Sequence, residues 1–436
     1  MSEDRPSLAA RVLAQGSRVD GRVLGGDGGI VETAGARLSA AGVRPGHVVL
    51  LTGLAAADLA GGMLAAWRLD AVPLIAPHDR NLPAELTGVC HLRGALEVTP
   101  AAGHATVPGL ERTAVLMPTS GSTGAPRLAR RGVASVLAEA AGYQDYLALT
   151  PADRVAVPVP MTHSYGWGVA MSTLLTGCDL YSTPPNQARA LARLMDTGAV
   201  SVVALTAGIA RLLVEVRRSG AQSVRATLVG AGRVPEELAE AFTARFRRPP
   251  QRGYGSTETG GTFLGTSGIG RPVAGVRVLR PAPGAEGELV IKLPAPVEGV
   301  LGAEPTEVWH TGDLVRCDAD GVYHHLDRLR PGLRLNDRFV DADAITRRLR
   351  RIPGVTDVRL LVLGRAGATA IEDLYAVVER DAALAEPALE RCLAGLPATV
   401  PRPRVLWCPR VPRNVLGKLD RDSLIAWVRE EVGSGN

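Results

Sequence analysis

The chain of 436 residues reads as an α/β protein in more than one domain. The predicted arrangement is a large N-terminal domain of α/β sheets with a small β-rich subdomain, hinged to a small α+β C-terminal domain. Three observations carry this. The length exceeds what one hydrophobic core ordinarily serves. Short apolar runs alternate with amphipathic stretches of helical period through most of the first 250 residues, the pattern of a largely parallel sheet. After Thr262 that texture gives way to short runs broken by glycine and proline. Later, Arg330-Pro-Gly is a tripeptide hostile to helix and suited to a linker. The expected boundaries are 1–328, a hinge at 329–331, and 332–436.

Val31 to Ala41 has a helical apolar face, Val48 to Thr52 is a buried strand, Asp58 to Trp67 a second helix and Ala71 to Ala76 another strand. The alternation resumes with strand Arg154 to Val159, a helix through Leu174, strand Val200 to Leu205 and helix Ile209 to Arg217. Strand Thr227 to Gly230 and helix Pro235 to Phe246 follow. Gly270 to Leu279 and Gly287 to Lys292 read as short strands of the β-rich subdomain. The C-terminal unit reads as helix Ala342 to Arg351, strands Val355 to Leu363 and Asp373 to Val378, and helix Pro387 to Gly395.

Composition narrows the partners. Hydrophobic residues make up 46% and charged residues 21%, so a large core is available, packed by Val, Leu and Ala because aromatics are only 4%. The net charge of +5 is spread among interleaved acids, with no basic tract flanked by aromatics, which argues against nucleic acid and suits a small anionic ligand. Five cysteines lack zinc or redox spacing and read as reduced thiols of a cytoplasmic protein. Met1-Ser-Glu-Asp-Arg is unlike a secretory signal, and the apolar run Val48 to Ala57 is too short to span a bilayer, so no membrane partner is expected.

Four stretches carry chemistry. Thr119-Ser-Gly-Ser-Thr-Gly-Ala-Pro-Arg127 follows an apolar strand and precedes a helical pattern near Val133. Its hydroxyls and glycines suit an anion such as phosphate, or a plain surface turn. Gly253-Tyr-Gly-Ser-Thr-Glu-Thr-Gly260 offers a flat ring beside open backbone, then an alcohol and a carboxylate fit for a phosphate and its magnesium ion; a hairpin with a solvated glutamate is the plainer reading. Trp309-His-Thr-Gly-Asp313, with His324-His-Leu-Asp-Arg328, supplies an aspartate able to accept two hydroxyls; the adjacent histidines point to opposite faces of a strand and make a poor metal pair. The fourth is Pro412-Arg-Asn-Val-Leu-Gly-Lys-Leu-Asp-Arg421. Lysine occurs only at Lys292 and Lys418 among 49 basic residues. A compact ammonium kept in so arginine-rich a chain is worth attention, although a solvated turn explains a lone Gly-Lys equally well.

In this order, the four stretches resemble the motifs of the adenylate-forming superfamily, which includes acyl- and aryl-CoA synthetases, nonribosomal peptide adenylation domains and luciferases. The likeness runs from about Leu38 to the C-terminus. It implies activation of a small carboxylic acid by ATP and Mg2+ to an acyl-adenylate with release of pyrophosphate. Transfer follows to the thiol of CoA or of a carrier protein's phosphopantetheine, with the C-terminal domain rotating between the half-reactions. It also implies that Thr119, Ser120, Ser122, Thr123 and Arg127 form the phosphate loop, Arg127 standing where lysine is usual. Gly230, Ala231, Gly232, Tyr254 and Gly255 would hold adenine, and Thr257 would touch the α-phosphate. Glu258 would bind magnesium, Asp313 and Arg328 the ribose. Lys418 would bridge carboxylate and α-phosphate, and His163 would stand near the acyl pocket and thiol entry. Arg330 falls at the pivot.

The resemblance brings two departures. Leu333 to Val340 aligns with the loop lining the pantetheine tunnel, and Asp337 stands where glycine is usual, which favours an amine as the alternative acceptor. The His163 segment lacks the acid that holds an α-amino group, so an aryl or acyl acid is expected over an amino acid. Tyr165 and Trp167 either line a flat pocket or pack their helix. A catalytically degenerate nucleotide-binding homologue is the remaining alternative.

Overall fold

The structure, a computed structural model, describes residues 4–77, 86, 90–99, 107–119, 127–184, 187–216, 223–328, 333–335, 338–340, 342–364, 372–380, 391–394, 402–414 and 419–434. The chain divides into two compact units, Met1–Arg328 and Leu329–Asn436.

Two sheets with parallel centres organise the first unit. The larger runs Arg271–Pro272, Gly260–Gly265, Gln251–Ser256, Ala226–Gly230, Val202–Thr206, Arg154–Ala156, Asp179–Tyr181, Arg18–Val19, Arg22–Val23. The second runs Glu97–Thr99, Cys90–Arg93, Val48–Thr52, Val72–Ile75, Thr113–Thr119, Arg127–Gly132. Val48–Thr52 is buried at every position, as expected of a strand covered on both faces. Helix Ala56–Arg68 lies within the main core, where Met63, Leu64 and Trp67 are solvent-free and Trp67 Nε1 donates to Ala114 O at 2.7 Å. A four-stranded antiparallel sheet, Arg277–Arg280, Glu286–Val297, Thr306–Cys317 and Tyr323–Arg328, forms the β-rich part. Its two central strands are 12 residues each, longer than the broken runs of the sequence suggested.

Two further features differ from the sequence reading. Helix Arg5–Ala14 precedes the first expected element; Asp4 caps it by accepting from Ser7 N at 2.9 Å. Arg5 is buried and donates to Leu110 O (2.8 Å), Thr113 O (3.0 Å) and Asp70 Oδ1 (2.9 Å), tying the helix to the core. Helix Val133–Leu147 begins where the helical pattern was expected, but a strand the sequence reading did not name, Arg127–Gly132, precedes it and pairs antiparallel with Thr113–Thr119. The loop therefore joins two strands, and no helix N-terminus follows it directly. Arginines hide that strand in the sequence because their charges are met by the protein itself: Arg130 donates to Glu298 O, Gly109 O and Ala303 O.

The second unit holds a three-stranded sheet, Val355–Gly364, Glu372–Arg380 and Arg404–Cys408, a two-stranded ladder, Leu333–Leu335 with Arg338–Val340, and helices Ala342–Arg350 and Arg421–Ser434. Ile345 and Leu349 pack on one face of the three-stranded sheet, Leu424 and Val428 on the other.

Candidate nucleotide and acid site

Where they are described, the chemistry-bearing stretches lie on strand ends and turns. Three belong to the first unit. Tyr254 is on strand Gln251–Ser256, which pairs antiparallel with Gly260–Gly265, so Thr257 and Glu258 occupy the connecting turn. The turn is tight. A Cβ at Gly255 would come 2.0 Å from Gly260 O, and Gly260, at φ +74°, would drive one to 2.4 Å from Glu139 Cδ. Ser256 and Thr259 brace it, Ser256 N donating to Thr259 Oγ1 at 3.2 Å.

Beneath the turn lies an ion pair invisible in the sequence. Arg131 Nη2 donates to Glu139 Oε2 at 2.8 Å, with the two side chains 0% and 3% exposed. Glu139 Oε1 accepts from Gly261 N at 2.7 Å, and Arg131 Nε donates to Ser135 Oγ at 3.2 Å. Among the described residues, Arg131 Nη1 is buried without a partner. Charges so enclosed persist only when paired. The pair joins the strand leaving the Thr119 loop, helix Val133–Leu147 and the Thr257–Glu258 hairpin. The phenol of Tyr143, buried on the same helix, is pushed well above its ordinary range, first by burial and then by the neighbouring Glu139 charge.

Tyr254 meets the third stretch directly. Its hydroxyl donates to Asp313 Oδ2 at 2.5 Å, and its ring stands edge-on to Phe263, centroids 5.8 Å apart. Asp313 is buried on strand Thr306–Cys317; Thr311 Oγ1 accepts from its amide at 3.1 Å and donates to Leu289 O at 2.8 Å. Asp313 pairs in the ladder with Arg328. His325 completes the cluster, with Nε2 3.4 Å from Asp313 Oδ1 and its ring centroid 6.5 Å from that of Tyr254. Sequence reasoning weighed His325 only as a metal ligand. The alternation of a strand, which sends His324 to Asp318 (3.2 Å) and His325 to Asp313, was the signal for its part here.

The acyl-side segment reaches the same turn. His163 caps helix Ser164–Thr176, its Nδ1 accepting from Tyr165 N at 3.3 Å, and Ser164 Oγ accepts from Thr257 Oγ1 at 3.4 Å. Tyr165 Oη donates to Leu228 O at 3.2 Å, and its ring lies against Gly230, where an added Cβ would be 2.7 Å from Cε2. Ala231 adopts φ +61°, and the Cβ position of Gly232 faces open space. Trp167 does not line a pocket: it is solvent-free, its Nε1 donating to Met63 Sδ at 3.3 Å. Helix packing is its role.

Thr119 ends strand Thr113–Thr119 and donates through Oγ1 to Arg127 O at 3.2 Å across the mouth of the loop. Ser120, Ser122 and Thr123 lie outside the described residues, as do Arg330, Asp337 and Lys418. Glu258 is half-buried, and among the described residues its carboxylate has no hydrogen-bond or ion-pair partner. No group of three or more His, Cys, Asp or Glu able to hold a metal occurs among them. Burial pushes the Cys90 thiol up to about 11 and Cys178 up to about 12, so neither is a thiolate at neutral pH. No described helix is long and apolar enough to cross a membrane.

A family model described as AMP-binding enzyme matches residues 91–301. The 2-succinylbenzoate–CoA ligase of Enterococcus faecalis is 24% identical over 347 residues, covering 74% of this chain and 71% of that protein. Alignments to Bacillus ligases of the same name cover 50–60% of their length. Among solved structures, O-succinylbenzoate coenzyme A synthetase from Bacillus subtilis, in complex with ATP and magnesium ion, superposes with a TM-score of 0.71 at 18% identity, covering 96% of this chain and 98% of that one. The amide bond synthetase McbA from Marinactinospora thermotolerans gives 0.66 at 19%, covering 97% and 99%. Residues 91–301 are thus similar to AMP-binding enzymes, and the chain shares the fold of these synthetases.

Proposed function

We propose that the protein is an AMP-forming acid ligase that activates a small aryl or acyl carboxylic acid with ATP and passes the acyl group to a thiol. One observation carries the reading. Tyr254 and Asp313, remote in sequence, are hydrogen-bonded at 2.5 Å, and the adjoining Thr257 reaches Ser164 of the His163 segment at 3.4 Å. A nucleotide-side cluster and an acid-side helix thus share one short turn.

In the first half-reaction a carboxylate oxygen of the acid attacks the α-phosphorus of ATP, and pyrophosphate leaves. Tyr254, Gly230, Ala231 and Gly232 border the base, and Asp313, braced by Thr311 and backed by Arg328 on the neighbouring strand, takes the ribose hydroxyls. Thr119, Ser120, Ser122, Thr123 and Arg127 hold the outer phosphates, and Thr257 donates to the α-phosphate. Glu258 fits a magnesium ion: it is a hard oxygen donor without a partner among the described residues, and Mg2+ is commonly held by one or two carboxylates together with substrate phosphates. When bound, the ion offsets phosphate charge. Lys418 offsets the charge that builds as carboxylate and α-phosphate approach. In the second half-reaction a thiolate of CoA or of a carrier's phosphopantetheine attacks the acyl carbonyl near His163, and AMP leaves with the bonding electron pair. The buried cysteines play no covalent part.

Asp337 favours a second reading of this last step alone, since a side chain in the thiol-lining loop suits an amine nucleophile better. Carboxylate-dependent ATP–pyrophosphate exchange over a broad acid panel tests the first step. Exchange is expected with an aryl or acyl acid, falling about 10²- to 10³-fold in Lys418→Arg. No exchange with any acid would refute the ligase reading. Product masses after adding CoA, a phosphopantetheinylated carrier or amines then identify the acceptor.

A further inference from the structure

The Glu139 carboxylate stands where four elements of the first unit meet. It projects from helix Val133–Leu147; its Oε1 accepts from Gly261 N of the hairpin at 2.7 Å, and its Oε2 accepts from Arg131 Nη2, on strand Arg127–Gly132, at 2.8 Å. The fourth element is helix Ser164–Thr176, the one that His163 caps. Glycines make room on two of these sides. A Cβ at Gly168 or at Gly260 would strike the Glu139 carboxyl group, and one at Gly261 would strike the hydroxyl of Tyr143. Backbone therefore boxes the carboxylate in, and Arg131, itself tied through Nε to Ser135 Oγ at 3.2 Å, fixes its remaining oxygen.

Stability does not account for this pair. Apolar side chains of similar volume commonly match or better a buried ion pair, because desolvating two charges offsets most of their attraction. Here one Arg131 nitrogen also lacks a partner among the described residues, a further cost. What apolar side chains cannot supply is an acceptor for the Gly261 amide. That amide lies at the foot of the turn that presents Thr257 and Glu258. The ladder of the hairpin shifts register between Tyr254 and Gly255, just before the turn, so strand pairing alone leaves the turn's placement under-determined. The Glu139 contact falls on the returning strand, opposite Gly255.

We propose that Glu139 is a positioning residue for the Thr257–Glu258 turn: its carboxylate, locked by Arg131, takes the Gly261 amide and so sets where the turn stands. The inference rests on the ligase reading for its kinetic consequence, since Thr257 and Glu258 there meet the α-phosphate and Mg2+, but the placement itself can be tested without turnover. A divided effect follows. Tyr254 and Asp313 are joined by their own hydrogen bond, so loosening the turn harms the phosphate and metal end of the site and spares the base and ribose end.

Two uncharged double variants isolate the acceptor. Arg131→Met/Glu139→Gln keeps an oxygen for the Gly261 N–H, and Arg131→Met/Glu139→Met does not. Neither leaves a buried charge unpaired, so both are expected to fold, as urea unfolding checks. In the second, pyrophosphate exchange should fall by on the order of 100-fold and the Mg2+ concentration for half-maximal rate should rise about tenfold. Inhibition by adenosine, which reaches only the base and ribose end, should stay within about threefold of the parent. The first variant should stay within about threefold of the parent in all three measurements. Placement is read without turnover by amide deuterium uptake, followed by mass spectrometry over residues 253–262, with the buried strand Val202–Thr206 as internal control. Uptake in the turn should speed severalfold in the second variant and not in the first, with the control strand unchanged. The proposal is overturned if the two variants behave alike, if adenosine affinity falls together with the exchange rate, or if the turn's deuterium uptake is unaltered in the second variant. Should no acid support pyrophosphate exchange in the parent, the ligase reading fails while deuterium uptake still decides the placement.

Discussion

Glutamine in place of Glu139 tests how the first unit holds its Thr257–Glu258 turn. The amide keeps an oxygen for Gly261 N–H, so the change removes charge and little else. It leaves Arg131, solvent-free and already with one unpartnered nitrogen, facing only Ser135 and a neutral amide. Breaking a buried pair from one side costs about 3–5 kcal/mol. Glu139→Ala also orphans the Gly261 amide, adding about 1–3 kcal/mol, a large part of the roughly 5–15 kcal/mol that holds a domain folded. Arg131→Met should cost less than Glu139→Gln, because a carboxylate can shed its charge by taking up a proton and a guanidinium cannot. The double variant Arg131→Met/Glu139→Gln removes both charges and should return to within about 2 kcal/mol of the parent. Urea unfolding followed by tryptophan fluorescence reports on this unit through Trp67 and Trp167, both fully buried in its core. A loss below about 1 kcal/mol for Glu139→Gln, or a double variant as costly as the sum of the singles, would refute the reasoning.

Two further outcomes are expected. Tyr254→Phe deletes the hydroxyl that steadies Asp313, and at about 1.5–3 kcal/mol for a hydrogen bond to a charged group it should raise the KM for ATP about tenfold or more in the exchange assay; a change under about twofold would show that Asp313 needs no such support. Asp153 supplies a pH dependence. Burial works to raise its carboxyl, but hydrogen bonds from Arg225, Ser201 and the Thr150 amide, with the Arg225 charge, together outweigh it and hold the group well below the usual carboxylate range. Because the folded value is depressed, the stability it contributes is complete above about pH 4, the unfolded value, and is lost as pH falls further. Asp153→Asn should therefore destabilise at pH 7 and flatten the acid limb of a thermal-melt series, and an acid limb of unaltered slope would contradict the assignment.

The candidate motifs stood out because the chemistry they suggest is local. A tyrosine between glycines, or an aspartate after one, signals its use through its immediate neighbours. The alternating strands and helices were similarly readable from apolar periodicity. What escaped depends on partners far along the chain. Arg127–Gly132 has too many charges to read as a buried strand, and only the carbonyls of Gly109, Glu298 and Ala303 make Arg130 tolerable there. Arg131 and Glu139 look like surface residues until helix, strand and hairpin close around them. Trp167 had two equal readings, and Met63, 104 residues away, decides between them. Arg5 is the same case at the N-terminus: its partners lie up to 108 residues downstream.

Tyr165 ties two elements with one side chain. Its ring rests on Gly230 and its hydroxyl is fastened to Leu228, so it joins strand Ala226–Gly230 to helix Ser164–Thr176. A smaller residue at 165 would loosen both elements in the same stroke; a larger one would press on a backbone that has no side chain to yield. On the proposed ligase reading, that contact would couple the acid side of the site to the nucleotide side, so a substitution made for one substrate would be felt by the other.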